Sequence, residues 1–267
     1  MPLGGFEREV LRLLAANRNP DSFVAGATVL HQAPASPRRS EDIDLFHDTQ
    51  VSLGQAFDAD TSTLRQAGYE VEVVSQGHED FRRAMVRRGS SATKIEWVYD
   101  SAFRFYPVEK DDELGWRLNF WDAATNKTLA LVGRQKIRDY LDCLHLHESH
   151  LHFGALSWAA AGKDPGLSPE YIVDWAARGN RFTQDDLKDV RWNGPLDLRD
   201  CKRRWLAALE ESRLLIATLP PAEMGCLYLD DKGKPVCPDP ASSDFPKLTR
   251  HFGSVKGAWP RIAERQT

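Results

Sequence analysis

The chain of 267 residues contains no apolar run near the roughly 20 residues needed to cross a bilayer. Its opening stretch, MPLGGFEREV, lacks the basic-then-apolar pattern of a secretory signal. Cysteine is scarce: Cys143, Cys201, Cys226 and Cys237 are widely spaced with no C-x-x-C pair, which points to neither a zinc site nor a disulfide framework. Positive charge is not in excess either. Against 39 Asp and Glu stand 35 Lys and Arg, a net charge of −4, which excludes a protein that coats nucleic acid by bulk charge but leaves room for a local basic patch. No internal repeat and no low-complexity tract is found. What is present, 42% hydrophobic, 28% charged and 10% aromatic residues, describes an ordinary globular protein with enough chain for a core without covalent staples. The expectation is a reduced, water-soluble, cytoplasmic protein with no membrane contact.

The first part of the chain alternates helical and strand-like pieces. Residues 6–15 and 51–67 carry helical spacing, the second stopped by Gly68. Residues 23–25, 43–46, 70–74, 81–86, 94–99 and 116–120 read as strands. In 94–99, Lys94, Glu96 and Val98 alternate with Ile95, Trp97 and Tyr99. From Asp122 onward the pattern is helical almost throughout, with its longest amphipathic helix over 197–219, and residues 225–238 read as a hairpin turning at Asp231-Lys232-Gly233. The expected organisation is α+β: an α/β-type part over 1–120 with a small mixed sheet flanked by helices, then a mostly helical region over 121–267.

The sharpest local feature is Arg38-Arg39-Ser40-Glu41-Asp42-Ile43-Asp44-Leu45-Phe46, preceded by Val24-Ala25-Gly26-Ala27. Side chains at i and i+2 of a strand point the same way, so Asp42 and Asp44 present two carboxylates together, while Ile43 and Leu45 face a core. Such a pair needs a cation, and the oxygen preference of Mg²⁺ (or Mn²⁺) suits it. Glu96, between Ile95 and Trp97, is placed to add a third carboxylate from a neighbouring strand. A site of this kind activates a hydroxyl and clamps a triphosphate for phosphoryl or nucleotidyl transfer. A strand that ends at Gly26 and opens a short helix leaves backbone N–H groups to hold phosphate. The competing interpretation is an edge strand with a solvated acidic face.

The segment 26–46 resembles the glycine plus Asp-x-Asp signature of the DNA polymerase beta-like nucleotidyltransferase superfamily. More narrowly, Arg38-x-Ser40-x-Asp42-Ile43-Asp44-Leu45-Phe46 resembles the AbiEii/AbiGii nucleotidyltransferase toxins, including the MenT type. That family usually carries Gly-Gly or Gly-Ser before the loop. Here Gly26-Ala27 lacks the hydroxyl, which leaves Thr28 or Ser40 to supply one. The resemblance covers about residues 20–150. It implies a Mg²⁺-dependent enzyme that moves a nucleoside monophosphate from an NTP to a hydroxyl of tRNA or protein, restrained by a cognate antitoxin.

A second segment, Asn126-Lys127 through Asp142, resembles the family's later motif of a lysine, an apolar run, an arginine and Arg-Asp-x-x-Asp. Projected on one helix at about 100° per residue, Lys127, Arg134, Arg138 and Asp142 fall on one stripe, opposite Leu129, Ala130, Ile137, Tyr140, Leu141 and Leu144. Leu131 and Val132 do not fit, and Gly133 marks a candidate break. A cationic row could bind phosphates. Of Asp139 and Asp142, one could orient the arginines and the other touch ribose, base or the attacking hydroxyl. The competing interpretation is a solvated face with i,i+4 ion pairs.

Fainter signals remain. Four of the eight histidines lie at 145, 147, 150 and 152, where metal binding competes with an ordinary helix surface. Basic and aromatic residues interleave at Phe81-Arg82-Arg83 with Arg87-Arg88 and at 199–205; either patch could contact a nucleic-acid backbone, against the plainer readings of a charged strand edge for the first and the wet side of the long helix for the second. Trp192 and Trp259 read as packing residues of the helical region. A catalytically weak nucleotide-binding module of the same fold is the alternative to an enzyme. A phosphatase using Asp42 as nucleophile is disfavoured, because Leu45-Phe46 stand where a small hydroxyl residue is wanted.

Overall fold

The computed structural model describes residues 3–33, 36–40, 42–188 and 190–261, apart from the side chains at 76–78, 179 and 180. Pro34 and Glu41 lie outside the described residues. In chain order the first elements are α1 (Gly5–Leu14), β1 (Ser22–Val24), α2 (Gly26–Leu30), β2 (Asp42–His47) and α3 (Gln50–Gln66). Strands β3 (Glu70–His78), β4 (Phe81–Arg88), β5 (Ser91–Tyr99), β6 (Phe103–Arg104), β7 (Glu109–Asp111) and β8 (Gly115–Arg117) follow. Then come α4 (Phe120–Arg134), α5 (Ile137–Ser149), α6 (Phe153–Ala161), α7 (Pro169–Ala176) and α8 (Leu198–Thr218), and last β9 (Cys226–Leu229), β10 (Thr249–Phe252) and β11 (Ser254–Val255). The chain divides into two units: Met1–Ala102 with Pro107–Ala123 and Arg191–Gly194, and Phe103–Tyr106 with Ala124–Val190 and Pro195–Thr267. The division falls inside α4.

The first unit is a seven-stranded sheet in the order β3-β4-β5-β2-β1-β8-β7. The β2–β5 and β1–β8 pairs are parallel and the others antiparallel. This is the mixed, helix-flanked sheet that the alternating pattern predicts. Helices α1 and α3 pack on β2 and β5, burying Val10, Leu11, Leu14, Leu53, Phe57 and Leu64 against Ile43, Leu45, Ile95 and Trp97. Each such side chain contributes about 1.5–3 kcal/mol by leaving water. Thr49 caps α3 by accepting from Ser52 N, and Gly68, at φ +82°, lets the chain leave it. One buried carboxylate ties helix to sheet: Asp60 accepts from Arg18 (2.6 Å), Trp97 Nε1 (2.8 Å) and Asn17 (2.9 Å).

His47, fully buried on that same face, donates toward Val98 O from Nδ1. Burial, reinforced by the nearby Arg18 cation, pulls its pKa from 6.5 down to about 4. The unfolded chain therefore takes up this proton before the folded one does. Stability should fall by about 3 kcal/mol as pH drops from 6.5 to 4, then level off with respect to this group. Urea unfolding across that range checks it: His47→Gln should remove this part of the slope, and an unchanged slope would place the proton elsewhere.

In the second unit α6 is buried along its whole length and packs on α5, α7, α8 and β9. Trp205 of α8 centres the core beside Phe153 (4.6 Å between rings) and Tyr140 (5.4 Å). Asp197 caps α8 by accepting from Arg199 N. Three readings of the sequence need correction. The strand expected over 116–120 ends at Arg117, and Phe120 already opens α4. The basic strand β4 is interior, flanked by β3 and β5, so its arginines do not guard an edge. Trp192 belongs to the first unit, where it bridges to Arg38, and Trp259 is 60% exposed. The hairpin expected over 225–238 forms around the turn at 231–233: the Asp230 carboxylate accepts from Lys232 N and Lys234 N, Leu229 bridges to Pro235, and Val236 N donates to Tyr228 O at 2.9 Å, while β9 also pairs with β10. Among the described residues no helix is long and apolar enough to cross a membrane, and all four cysteines are free thiols.

Candidate active site

Strand alternation places Asp42 and Asp44 on the sheet face opposite α1 and α3, each half-buried, while Ile43, Leu45 and His47 fill the core. Parallel pairing with β5 sets Asp42 opposite Lys94 and Asp44 opposite Glu96. Antiparallel pairing with β4 sets Arg83 opposite Glu96. One face thus carries three carboxylates and two cations. Lys94 Nζ lies 3.0 Å from Asp42 Oδ2 and 3.0 Å from Glu96 Oε1. The same Glu96 oxygen accepts from Arg83 Nε at 2.9 Å and lies 2.8 Å from its Nη2. From the sequence Arg83 stands out only as part of a basic strand and Lys94 not at all, although the alternation of 94–99 already puts Lys94 beside Glu96.

Gly26 stands over this pair. Its φ of +64° is a left-handed conformation, and a Cβ there would overlap the Asp44 carboxylate, lying 2.8 Å from Cγ. The neighbouring Ala25 N–H donates to Asp44 O at 2.9 Å, pinning the two segments together. Gly68 is also left-handed but has open space around it. Gly68→Ala should therefore cost about 1 kcal/mol of backbone strain. Gly26→Ala should cost a further 1–3 kcal/mol, roughly, from overpacking on Asp44. Thermal melts of the two variants separate the effects; equal losses would mean that Asp44 simply swings aside. Of the expected hydroxyls, Ser40 donates to Asp42 O at 2.9 Å and so fixes the entry to β2. Thr28 is buried on α2, where its Oγ1 has no hydrogen-bond partner among the described residues, and Ala27 beside it is buried too.

Two hard oxygen donors on adjacent outward positions, under a backbone with no Cβ, suit Mg²⁺, which takes one or two carboxylates and completes its shell with water and substrate phosphate. That a lysine ammonium already sits between Asp42 and Glu96 shows that this carboxylate set holds a cation. Among the described residues no group of three or more His, Cys, Asp or Glu side chains is arranged to hold a metal. Glu96 shares the face with the pair, but its Oε1 is engaged by Arg83 and Lys94.

The second motif forms its own cluster in the second unit. The helix breaks at Gln135, in the left-handed region at φ 47°, rather than at Gly133, which remains inside α4. Across that break Lys127 Nζ meets Asp139 Oδ1 at 2.7 Å and Asp142 Oδ2 at 3.2 Å. Arg134 grips Asp139 through Nε (2.7 Å) and Nη2 (2.9 Å). Neither a solvated stripe nor an open cationic row results. The side chains of Asp139 and Asp142 are 0% exposed and that of Lys127 6%, whereas Arg134 is 47% exposed and Arg138 is half-buried. Leu131 and Val132, the misfits of a single-helix projection, are buried because the two helices turn relative to each other. Burial would raise the Asp139 pKa, but Lys127 and Arg134 together hold it below the usual carboxylate value.

The histidine run is likewise spent on structure. His147 Nδ1 accepts from Phe153 N and His152 Nδ1 from Gly154 N, while both Nε2 atoms face Glu211 at 4.0 and 3.5 Å. Burial lowers the pKa of each. Of the arginines of 199–205, Arg203 and Arg204 pair with Asp200, and Arg204 also with Glu148.

No protein-family model and no curated protein sequence matches the chain. Solved structures do. The MenT4 nucleotidyltransferase toxin of Mycobacterium tuberculosis H37Rv matches at a TM-score of 0.57 and 15% identity, over 81% of this chain and 83% of that one. JHP933 of Helicobacter pylori matches at 0.49 and 16%, over 79% and 90%. The MenT4 match establishes the fold, that of a MenT-type nucleotidyltransferase, and agrees with the resemblance carried by residues 26–46.

Proposed function

We propose that this chain is a Mg²⁺-dependent nucleotidyltransferase that moves NMP from an NTP to a hydroxyl of tRNA or protein. The observation that carries this reading is Asp42 and Asp44 side by side on one sheet face, under a glycine that only a missing Cβ allows so close. Asp42 and Asp44 would hold the ion, which, when bound, offsets triphosphate charge and favours the acceptor alkoxide. The turn at Gly26–Ala27 approaches the nucleotide through backbone alone, and Ser40 sets the strand that presents both aspartates. Glu96, the third carboxylate of the face, assists at the nucleophile, its orientation set by Arg83. In the reaction the acceptor oxygen bonds to the α-phosphorus, the bond to the bridging α–β oxygen breaks, pyrophosphate leaves, and the hydroxyl proton passes to a base.

The reading rests on the first unit. The assignment of Lys127, Arg134, Arg138, Asp139 and Asp142 to phosphate, ribose or acceptor is a separate proposal, and Arg134 is the member of that set whose side chain is most open to solvent. The toxin role, the cognate antitoxin and the cytoplasmic setting follow from the sequence resemblance, and the four free thiols fit the last. Incubating the full chain with each α-³²P-labelled NTP, Mg²⁺, and tRNA or protein acceptors tests the activity: label should appear in one acceptor class. Ala27, with no hydroxyl, favours the second reading, a nucleotide-binding module without transfer. NTP retained on the protein with no label in any acceptor would select it.

A further inference from the structure

The two cations on the carboxylate face differ in kind. Arg83 places two nitrogens on one oxygen of Glu96, at 2.9 and 2.8 Å, in the fixed geometry of a planar guanidinium. Lys94 is a point charge on a flexible stem, and its Nζ is shared between Glu96 Oε1 and Asp42 Oδ2 at 3.0 Å each. Glu96 therefore keeps a cation partner even when Lys94 leaves, whereas Asp42 loses the ammonium that spans the two strands. The strand register brings the two together, since Asp42 and Lys94 are direct partners across β2 and β5.

We infer that Lys94 is a built-in counter-ion that a divalent metal must displace from Asp42, so that metal enters together with nucleotide rather than ahead of it. This rests on the nucleotidyltransferase reading above. An ammonium and a metal ion cannot both sit against the same carboxylate oxygen without strong repulsion. By linkage, whatever Lys94 gains from Asp42 is subtracted from the metal's affinity. A triphosphate changes the balance, because it brings further oxygen ligands for the ion and offers the displaced ammonium new anionic oxygens. Lys94 is thus a positioning residue: it neutralises Asp42 and Glu96 in the resting protein and withdraws when the nucleotide arrives.

Mn²⁺ titration of the full chain, followed by the electron spin resonance of free Mn²⁺, tests the inference. Without nucleotide, Lys94→Met should bind Mn²⁺ more tightly than the unmodified protein by about 5- to 150-fold, the usual range of coupling between sites. Lys94→Arg, which keeps the charge, should stay near the original affinity. With a non-hydrolysable NTP analogue present, most of the difference should vanish. Lys94→Gln repeats the measurement should the Met variant fail to fold. Equal or weaker Mn²⁺ binding by the neutral variants overturns the role of Lys94, while uptake by the unmodified protein with the analogue leaves the nucleotidyltransferase reading standing. No Mn²⁺ uptake by any of these proteins, analogue included, sinks both.

Discussion

Asp42→Asn and Asp44→Asn each lower NMP transfer by at least about 100-fold, the scale for removing a group that stabilises charge in the transition state, and neither unfolds the protein. The two halves of this expectation have separate grounds. Asparagine keeps the shape of aspartate and a carbonyl oxygen, but not the charge on which a divalent ion depends. For the fold, the aspartate side chains lie on the half-buried face, away from the Ile43 and Leu45 core. The ion pair of Asp42 with Lys94 is about a quarter exposed on both sides and falls in the class of pairs worth about 0–1 kcal/mol. Labelled-NTP transfer beside a circular-dichroism melt makes the comparison, with Asp58→Asn, on the exposed side of α3, as the control that should change neither. A double Asp42/Asp44 variant that turns over normally removes the carboxylate pair from the chemistry.

What could be seen in the sequence was whatever depends on neighbours along the chain. Period-two alternation put Asp42 and Asp44 on one side and Ile43 and Leu45 on the other, and the structure keeps that division. The glycine before the loop was legible, but not its reason: φ +64° and the carboxylate lying where a Cβ would be are facts of tertiary packing. Lys94 and Arg83 were illegible as site residues because their meaning lies in register, and a slip by one residue would turn both to the other face. The order of strands was hidden for the same reason, so β4 looked like an edge when it is flanked on both sides. At Gln135 local preference misleads outright. Gly133 is the residue that propensity would choose for a break, yet the left-handed position falls two residues later, where Lys127, Arg134 and Asp139 close over it.

That closure gives the largest expected change in stability. Lys127→Met leaves Asp139 and Asp142 buried without their shared cation, and breaking a buried ion pair from one side costs about 3–5 kcal/mol. Arg134→Ala should cost far less, because its guanidinium is half in water and exposed pairs contribute about 1 kcal/mol at most. Adding Asp139→Asn and Asp142→Asn to Lys127→Met should recover part of the loss, since no uncompensated charge then remains inside. Urea unfolding at neutral pH ranks the variants. A Lys127→Met protein as stable as the original would show that the cluster does not hold α4 to α5, and would return Lys127 to the triphosphate. The acid limb supplies an independent reading. With its pKa held below the usual carboxylate value, Asp139 stabilises the fold at pH above that value, and the contribution is lost as pH falls through the folded pKa. Without Lys127, burial is opposed by Arg134 alone, the folded pKa rises, and the variant should begin to lose stability at a higher pH than the unmodified chain.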